Sequence, residues 1–242
     1  MRILIIRHAD PDYTIDSLTP TGWKEAELLS ERLAKMKIDA FYVSPLGRAQ
    51  DTASCTLKKF NANAVTLRWL REFDPVIDRP DRPHSTCAWD WLPADWTKEP
   101  RYFDRDHWSE TDIMREGHVG DAYREVTGSL DALLARHGYV REKDYYRAVQ
   151  PNRSVLALFC HFGVECVLLS HLLNISPMPL WHGVCAAPSS VTSLFTEERR
   201  EGIASFRMNA FGDTSHLYAA GREPSFAARF CETWDNPEER HD

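Results

Sequence analysis

The chain has 242 residues, 43% of them hydrophobic and 27% charged, and a net charge of −7 with its ten histidines counted as neutral. That is ordinary globular composition: enough apolar material for a core, and no match to a disordered chain. The acidic balance gives no support to an extended nucleic-acid surface, so an anionic ligand would need a locally concentrated positive pocket.

Ile3-Leu4-Ile5-Ile6 is a continuous aliphatic run, the pattern of a strand buried on both faces in a parallel sheet. It stops at Arg7-His8-Ala9-Asp10-Pro11. A helix start follows: Thr19 as cap, Pro20 at the first helical position, and Leu18 and Trp23 at staple spacing. Trp23, Ala26, Leu29, Leu33 and Met36 then recur at helical spacing, with Lys24, Glu25, Glu27, Glu31 and Arg32 on other faces. Ala40 to Ser44 reads as a second strand ended by Pro45, Leu46 to Lys58 as a helix, and Val65 to Leu70 as a third strand running into Arg71-Glu72.

From Asp74 to Trp108 the pattern breaks, with five prolines alternating with Trp89, Trp91, Trp96 and Trp108. With a helix over Asp121 to Arg136, we read residues 74–139 as an insertion or lid over one sheet edge; the tryptophans form either the lid's substrate-packing face or a satellite core. Regular pattern resumes with strand Ser154 to Cys160, helix Val164 to Leu173, strand Val191 to Phe195, a turn at Glu197 to Gly202, and strand Ile203 to Met208. The charged tail after Trp234 is expected to fray. The whole, residues 1–242, reads as a single α/β domain: three layers, doubly wound, a mainly parallel sheet with helices on both faces.

The six cysteines (55, 87, 160, 166, 185 and 231) show no CxxC pair and no His–Cys metal spacing, and Cys160 and Cys166 read as small buried hydrophobes. The apolar start is too short for a signal peptide, and Val155 to Leu173 is interrupted by His161, Glu165 and His171, so no membrane span is expected. A soluble, cytoplasmic protein is the expectation.

Four features lie at or just past the carboxyl end of a predicted strand: Arg7-His8; Arg48 in Ser44-Pro-Leu-Gly-Arg-Ala-Gln-Asp-Thr-Ala53; Glu72; and His161 in Phe159-Cys-His-Phe-Gly163. In a doubly wound sheet those ends converge on one crevice. The ordered set resembles the histidine-phosphatase, or phosphoglycerate-mutase-like, superfamily, with Arg7-His8-Ala9, Arg48-Ala-Gln-Asp-Thr52, Glu72 and His161 carrying the likeness. Leu18-Thr-Pro-Thr-Gly22 and Phe211-Gly-Asp-Thr-Ser-His-Leu217 extend it over most of the chain; it is weakest from Asp74 to Tyr139.

The resemblance implies a phosphomonoester hydrolase acting on a small phosphorylated metabolite. His8 would be the nucleophile that becomes phosphohistidine, Arg7 and Arg48 the planar forks on phosphate, and His161 the completion of a cationic pocket. The backbone N–H of Phe162 would add a donor, and Glu72 would act as general acid and then base, with Asp74 and Glu116 as rival acids. No metal or other cofactor enters this scheme. The partner is a small anionic phosphomonoester, with no nucleic acid and no membrane; the oligomeric state stays open.

Three departures bear on substrate choice. Ala9 stands where the family has glycine, Asp10-Pro11-Asp12-Tyr13 replaces its small-polar run, and Phe162 brings a bulky ring that we expect near the pocket mouth. The mutase-type run of Tyr, Lys and paired Arg after the glutamate is missing, since Phe73-Asp74-Pro75 follows Glu72. A phosphomutase, or a non-catalytic phosphate-ligand binding protein, are the alternative functions. His118, His171 and His216 read as structural or substrate-shaping.

Overall fold

In a computed structural model, residues 1–225, 233–236 and 238 are described; most of the tail expected to fray, and Cys231, lie outside them. The first strand, β1 (Arg2–Arg7), buries Leu4 and Ile6 on one face and Ile3 and Ile5 on the other. That double burial is why its sequence is apolar without alternation. Around it run α1 (Pro20–Leu33), β2 (Ala40–Val43), α2 (Gly47–Phe60), β3 (Val65–Thr66), α3 (Val119–Arg136), β4 (Tyr139–Glu142), β5 (Tyr145–Ala148), β6 (Val155–Cys160), α4 (Phe162–Leu173), α5 (Pro177–Gly183), β7 (Val191–Arg200), β8 (Ile203–Asp213) and α6 (Ser215–Tyr218).

Eight strands form one mixed sheet in the order β3-β2-β6-β1-β7-β8-β5-β4. The block β3-β2-β6-β1 is parallel, and β7, β8, β5 and β4 continue it antiparallel from the other side of β1. Helices α1 and α2 cover one face through Leu29, Leu33, Ala49 and Ala53. On the opposite face α3, α4 and α5 pack through residues such as Leu130, Leu134, Leu168 and Trp181, giving three α/β/α layers.

Several boundaries differ from the sequence reading. The third strand is two residues long, because Arg68–Leu70 wind into a 3-10 turn that buries Leu70 against the core. The turn expected over Glu197 to Gly202 narrows to Glu201 and Gly202, since β7 and β8 pair as far as Arg200 and Ile203. Trp23 does not lie on the buried stripe of α1 but on its solvent side, whereas Glu25, placed on an outer face, is buried. Its carboxylate accepts the Asp10 N–H at 2.9 Å, which explains why a charged residue occupies an inner position.

The tryptophan-rich segment carries only short elements. Trp91, Trp96 and Trp108 are buried in the same cluster as α4 and α5, and Trp108 meets Trp181 edge-on at 5.5 Å. Among the described residues no helix is long and apolar enough to cross a membrane.

Candidate active site

The parallel block determines what meets what. β1 and β6 run in register with Arg7 opposite Cys160, and His8 N–H donates to the Cys160 carbonyl at 2.9 Å. His8 and His161 therefore leave adjacent strands at the same level, with ring centroids 5.0 Å apart. On the far side of β6, the Ser44 N–H donates to the Phe159 carbonyl, which brings Ser44 of β2's carboxyl end alongside His161. Glu72 follows the 3-10 turn after β3, and Arg48 sits in the first turn of α2.

The two rings differ in their partners. His8 is 1% exposed, and its Nδ1 lies 2.8 Å from the Ala9 carbonyl oxygen. A carbonyl only accepts, so the ring proton sits on Nδ1 and Nε2 keeps a lone pair. Burial first, then the Arg7 charge, pull the His8 pKa well below its ordinary value, so the ring is neutral at pH 7.

His161 is fully buried, with Nε2 at 2.7 Å from Ser44 Oγ. That hydroxyl accepts the Leu46 N–H at 3.2 Å, and among the described residues its own proton has His161 Nε2 as its acceptor, which puts the His161 proton on Nδ1. His161 Nδ1 has no hydrogen-bond partner among the described residues, and neither does Arg48 Nε. Buried donors are normally satisfied, so two orphans in one crevice suit an anion as acceptor. Burial, followed by the charges of His8, Arg48 and Arg7, lowers the His161 pKa well below its ordinary value.

The arginines are held in place by acceptors. Arg7 is 2% exposed, donates from its guanidinium to the Ala186 carbonyl, and lies over the Phe162 ring at 5.6 Å. Arg48 pairs with Asp16 at 2.6 Å and lies 5.3 Å from the centroid of the largely exposed Tyr13 ring. The same Asp16 accepts the Gly47 N–H at 2.7 Å, and a side chain at Gly47 would collide with the Asp16 carbonyl. Thr52, one turn along α2, accepts the Ala9 N–H at 2.9 Å and donates to the Arg48 carbonyl. The arginine's helix thus clamps the loop that follows His8.

Glu72 is half-buried at the start of α4, where its Oε1 accepts the Phe73 N–H at 2.8 Å and the Val164 N–H at 3.1 Å. Burial raises its pKa, opposed by those N–H groups and by Arg7 and Arg48. Of the rival acids, Asp74 is exposed and paired with Arg71 at 2.7 Å, and Glu116 is exposed on a short helix. Only Glu72 of the three lies beside the histidine strand ends.

Phe162 departs from the sequence reading. Its ring is buried between Arg7 and Trp89, not at a pocket mouth, and α4 begins at Phe162 instead of Val164 with His161 as its cap residue. As the first residue of α4 it points its N–H off the start of the helix. Ala9 stays out of the left-handed region, so its methyl group adds no backbone strain where the family has glycine.

Sequence reasoning did not single out Ser44, Thr52 or Gly163, and it named Trp89 only among the tryptophans of the insertion. Ser44 and Thr52 stood inside the Arg48 segment. Gly163 stood in the His161 segment, where only the structure reveals that a Cβ would meet Trp89 Nε1 at 2.7 Å and Glu72 Oε1 at 2.8 Å.

Comparison with known proteins gives the family and the fold. A family model described as histidine phosphatase superfamily (branch 1) matches residues 3–209. A Schizosaccharomyces pombe protein named a probable phosphatase is 22% identical over 90% of this chain and 95% of its own. The solved structure of an Entamoeba histolytica phosphoserine phosphatase variant in complex with phosphoserine shares the fold at a TM-score of 0.60 and 15% identity, covering 89% of this chain and 98% of that one. A mycobacterial glucosyl-3-phosphoglycerate phosphatase shares it at 0.54 and 18%, covering 87% and 98%.

Proposed function

The chain belongs to branch 1 of the histidine phosphatase superfamily, and on that premise we propose that it hydrolyses a small phosphomonoester through a phosphohistidine at His8. One observation carries the reading: a neutral His8 whose Nε2 lone pair is released by the Nδ1–Ala9 hydrogen bond, beside His161 Nδ1 and Arg48 Nε, which have no partner among the described residues.

The phosphoryl oxygens are held by Arg7, Arg48, His161 Nδ1 and the Phe162 N–H, donors fixed before substrate arrives. They stabilise charge on the equatorial oxygens with little reorganisation. His8 Nε2 attacks phosphorus, the P–O ester bond breaks, and protonated Glu72 gives its proton to the departing oxygen. Water then attacks the phosphoryl group, Glu72 takes the water's proton, the P–N bond breaks, and neutral His8 and inorganic phosphate result. The raised pKa of Glu72 suits a group that must be an acid in one half-reaction and a base in the next.

No metal enters these steps. We assign the chain to the cytoplasm and its partner to small phosphorylated metabolites, not nucleic acid or membrane. Residues 74–139 form an insertion of the same domain that walls the site through Trp89.

The test is release of phosphate from an aryl phosphate and from a panel of phosphorylated metabolites, with His8→Ala as control. Wild-type turnover that His8→Ala abolishes is expected. Turnover unaffected by His8→Ala, or isomer exchange of a phosphoglycerate dependent on a bisphosphate and faster than hydrolysis, would overturn the proposal.

A further inference from the structure

Phe211 to Leu217 resembles the family yet takes no part in the steps above. Its His216 is buried, and its Nε2 lies 3.0 Å from Ser189 Oγ. Ser189, also buried, donates its backbone N–H to the carbonyl oxygen of His8 at 3.0 Å. Neighbours of Ser189 hold Arg7 as well: the Ser190 carbonyl accepts the Arg7 N–H at 3.2 Å, and the Ala186 carbonyl accepts from its guanidinium. One loop, residues 186–190, therefore grips two consecutive residues of the site by three bonds.

Ser189 also has a φ of +59°, in the left-handed region that a non-glycine residue occupies only when its surroundings impose it. Two long-range contacts hold it there: the hydroxyl's with His216 and the backbone N–H's with the His8 carbonyl. On the far side of that ring stands Arg32 of α1, with NH1 at 3.5 Å from Nδ1, itself anchored on the Asp213 carboxylate at 2.6 Å and the Asp213 carbonyl at 3.0 Å. Arginine only donates, so Nδ1 is the acceptor and Nε2–H donates to Ser189. Burial and the Arg32 charge push His216 down to about 4, which keeps the ring neutral at neutral pH. The charged groups around it are Arg32 and Asp213, with Glu31 and Lys35 across a groove of about 370 Å³ that His216 borders.

We propose that Ser189 and His216 are positioning residues for the nucleophile: the hydroxyl–imidazole contact fixes the strained loop whose N–H holds the His8 carbonyl, and so fixes where His8 Nε2 points. This rests on the assignment of His8 as nucleophile.

The experiment compares Ser189→Ala, Ser189→Gly, His216→Ala and the double variant Ser189→Ala/His216→Ala with wild type, by steady-state hydrolysis of an aryl phosphate and by ¹⁵N imidazole spectra. The His8 signals are assigned from His8→Ala. Glycine accepts a positive φ without strain, so Ser189→Gly folds but lacks the hydroxyl. Expected is a fall in kcat of about tenfold to a hundredfold in each single variant, the scale of a small misplacement of a reacting group. KM should change less than kcat, and the double variant should be no worse than the worse single one, because the two side chains act as one unit. The His8 ring signals should shift in every variant.

A Ser189→Gly protein with wild-type kcat and unmoved His8 signals would overturn the proposal and leave the pair a purely structural contact. Should wild type itself fail to release phosphate, the functional assignment falls, and the His8 spectra still decide whether the pair positions the ring.

Discussion

Adding one methyl group at position 163 is a sharp probe of the site. In Gly163→Ala the new Cβ would sit 2.7 Å from Trp89 Nε1 and 2.8 Å from Glu72 Oε1, both closer than such contacts occur. Oε1 stands too close to the new methyl group for the carboxylate to stay where it is, and Trp89, tied by its Nε1–H to the Phe73 carbonyl at 2.6 Å, closes the other side. Moving the carboxylate weakens two hydrogen bonds, from Phe73 N–H and Val164 N–H, each worth about 1.5–3 kcal/mol when it is ionised. Overpacking adds about 1–3 kcal/mol of destabilisation.

A proton donor displaced by about 1 Å costs on the order of a hundredfold in rate. The loss should depend on the leaving group. An alkyl phosphate needs its oxygen protonated and should lose about a hundredfold in kcat, whereas a nitrophenyl phosphate leaves without help and should lose far less. Parallel assays of the two substrates, on protein shown by thermal melting to be folded, make the comparison. Equal activity of Gly163→Ala and wild type on the alkyl ester would refute the placement of Glu72 as acid.

Other perturbations test other parts of the account. Replacing Glu72 by Gln should lower alkyl phosphate turnover by about 10²–10⁴-fold. In wild type kcat should fall as pH rises through the raised Glu72 pKa, while His8, held well below its ordinary value, stays neutral on the acid side; a pH–rate profile of both proteins checks this. Glu165, fully buried in α4, is pushed up to about 7 by burial, against 4.5 ordinarily. Its folded form therefore binds the proton more tightly, a stabilisation complete below the ordinary pKa and lost as pH rises through about 7. At about 1.4 kcal/mol per unit, Glu165→Gln should be more stable than wild type by up to about 3 kcal/mol at alkaline pH and equal to it near pH 4; a pH-independent difference in melting temperature would contradict this. Trp108→Ala should cost about 3–5 kcal/mol of stability, seen in a thermal melt, because the ring is buried between Tyr123 and Trp181; a mobile lid residue would instead alter KM and leave the melt unchanged.

Much of the fold was legible where burial imposes a pattern. Ile3 to Ile6 reads as a two-sided buried strand because both faces are covered, and polar residues directly after it, as after Cys160, mark the carboxyl edge. The meeting of His8 with His161 follows from two parallel strands in register. The hairpin of β4 and β5 was hidden, since its turn, Lys143-Asp144, lies in a charged run that begins inside the strand at Arg141. Val65 to Leu70 is rich in strand-formers, yet β3 is an edge strand of two residues, and Leu70 is drawn inward by packing that no local preference encodes. Glu25, Glu165 and Ser189 were invisible for a related reason: their meaning lies in a partner or a burial that is long-range. Phe162 misled because a large ring after a site histidine reads as a rim, whereas the start of α4 turns it under Arg7.

The central claim is a covalent bond between phosphorus and His8 Nε2. Rapid quenching of the protein with a phosphomonoester under alkaline denaturing conditions, followed by peptide mass spectrometry, tests it most directly. One phosphoryl group per chain is expected, acid-labile, on the peptide containing His8, absent from His8→Ala and accumulating in Glu72→Gln with a good leaving group. Phosphate released at the wild-type rate with no phosphoryl group on that peptide, or one found on His161, would contradict it.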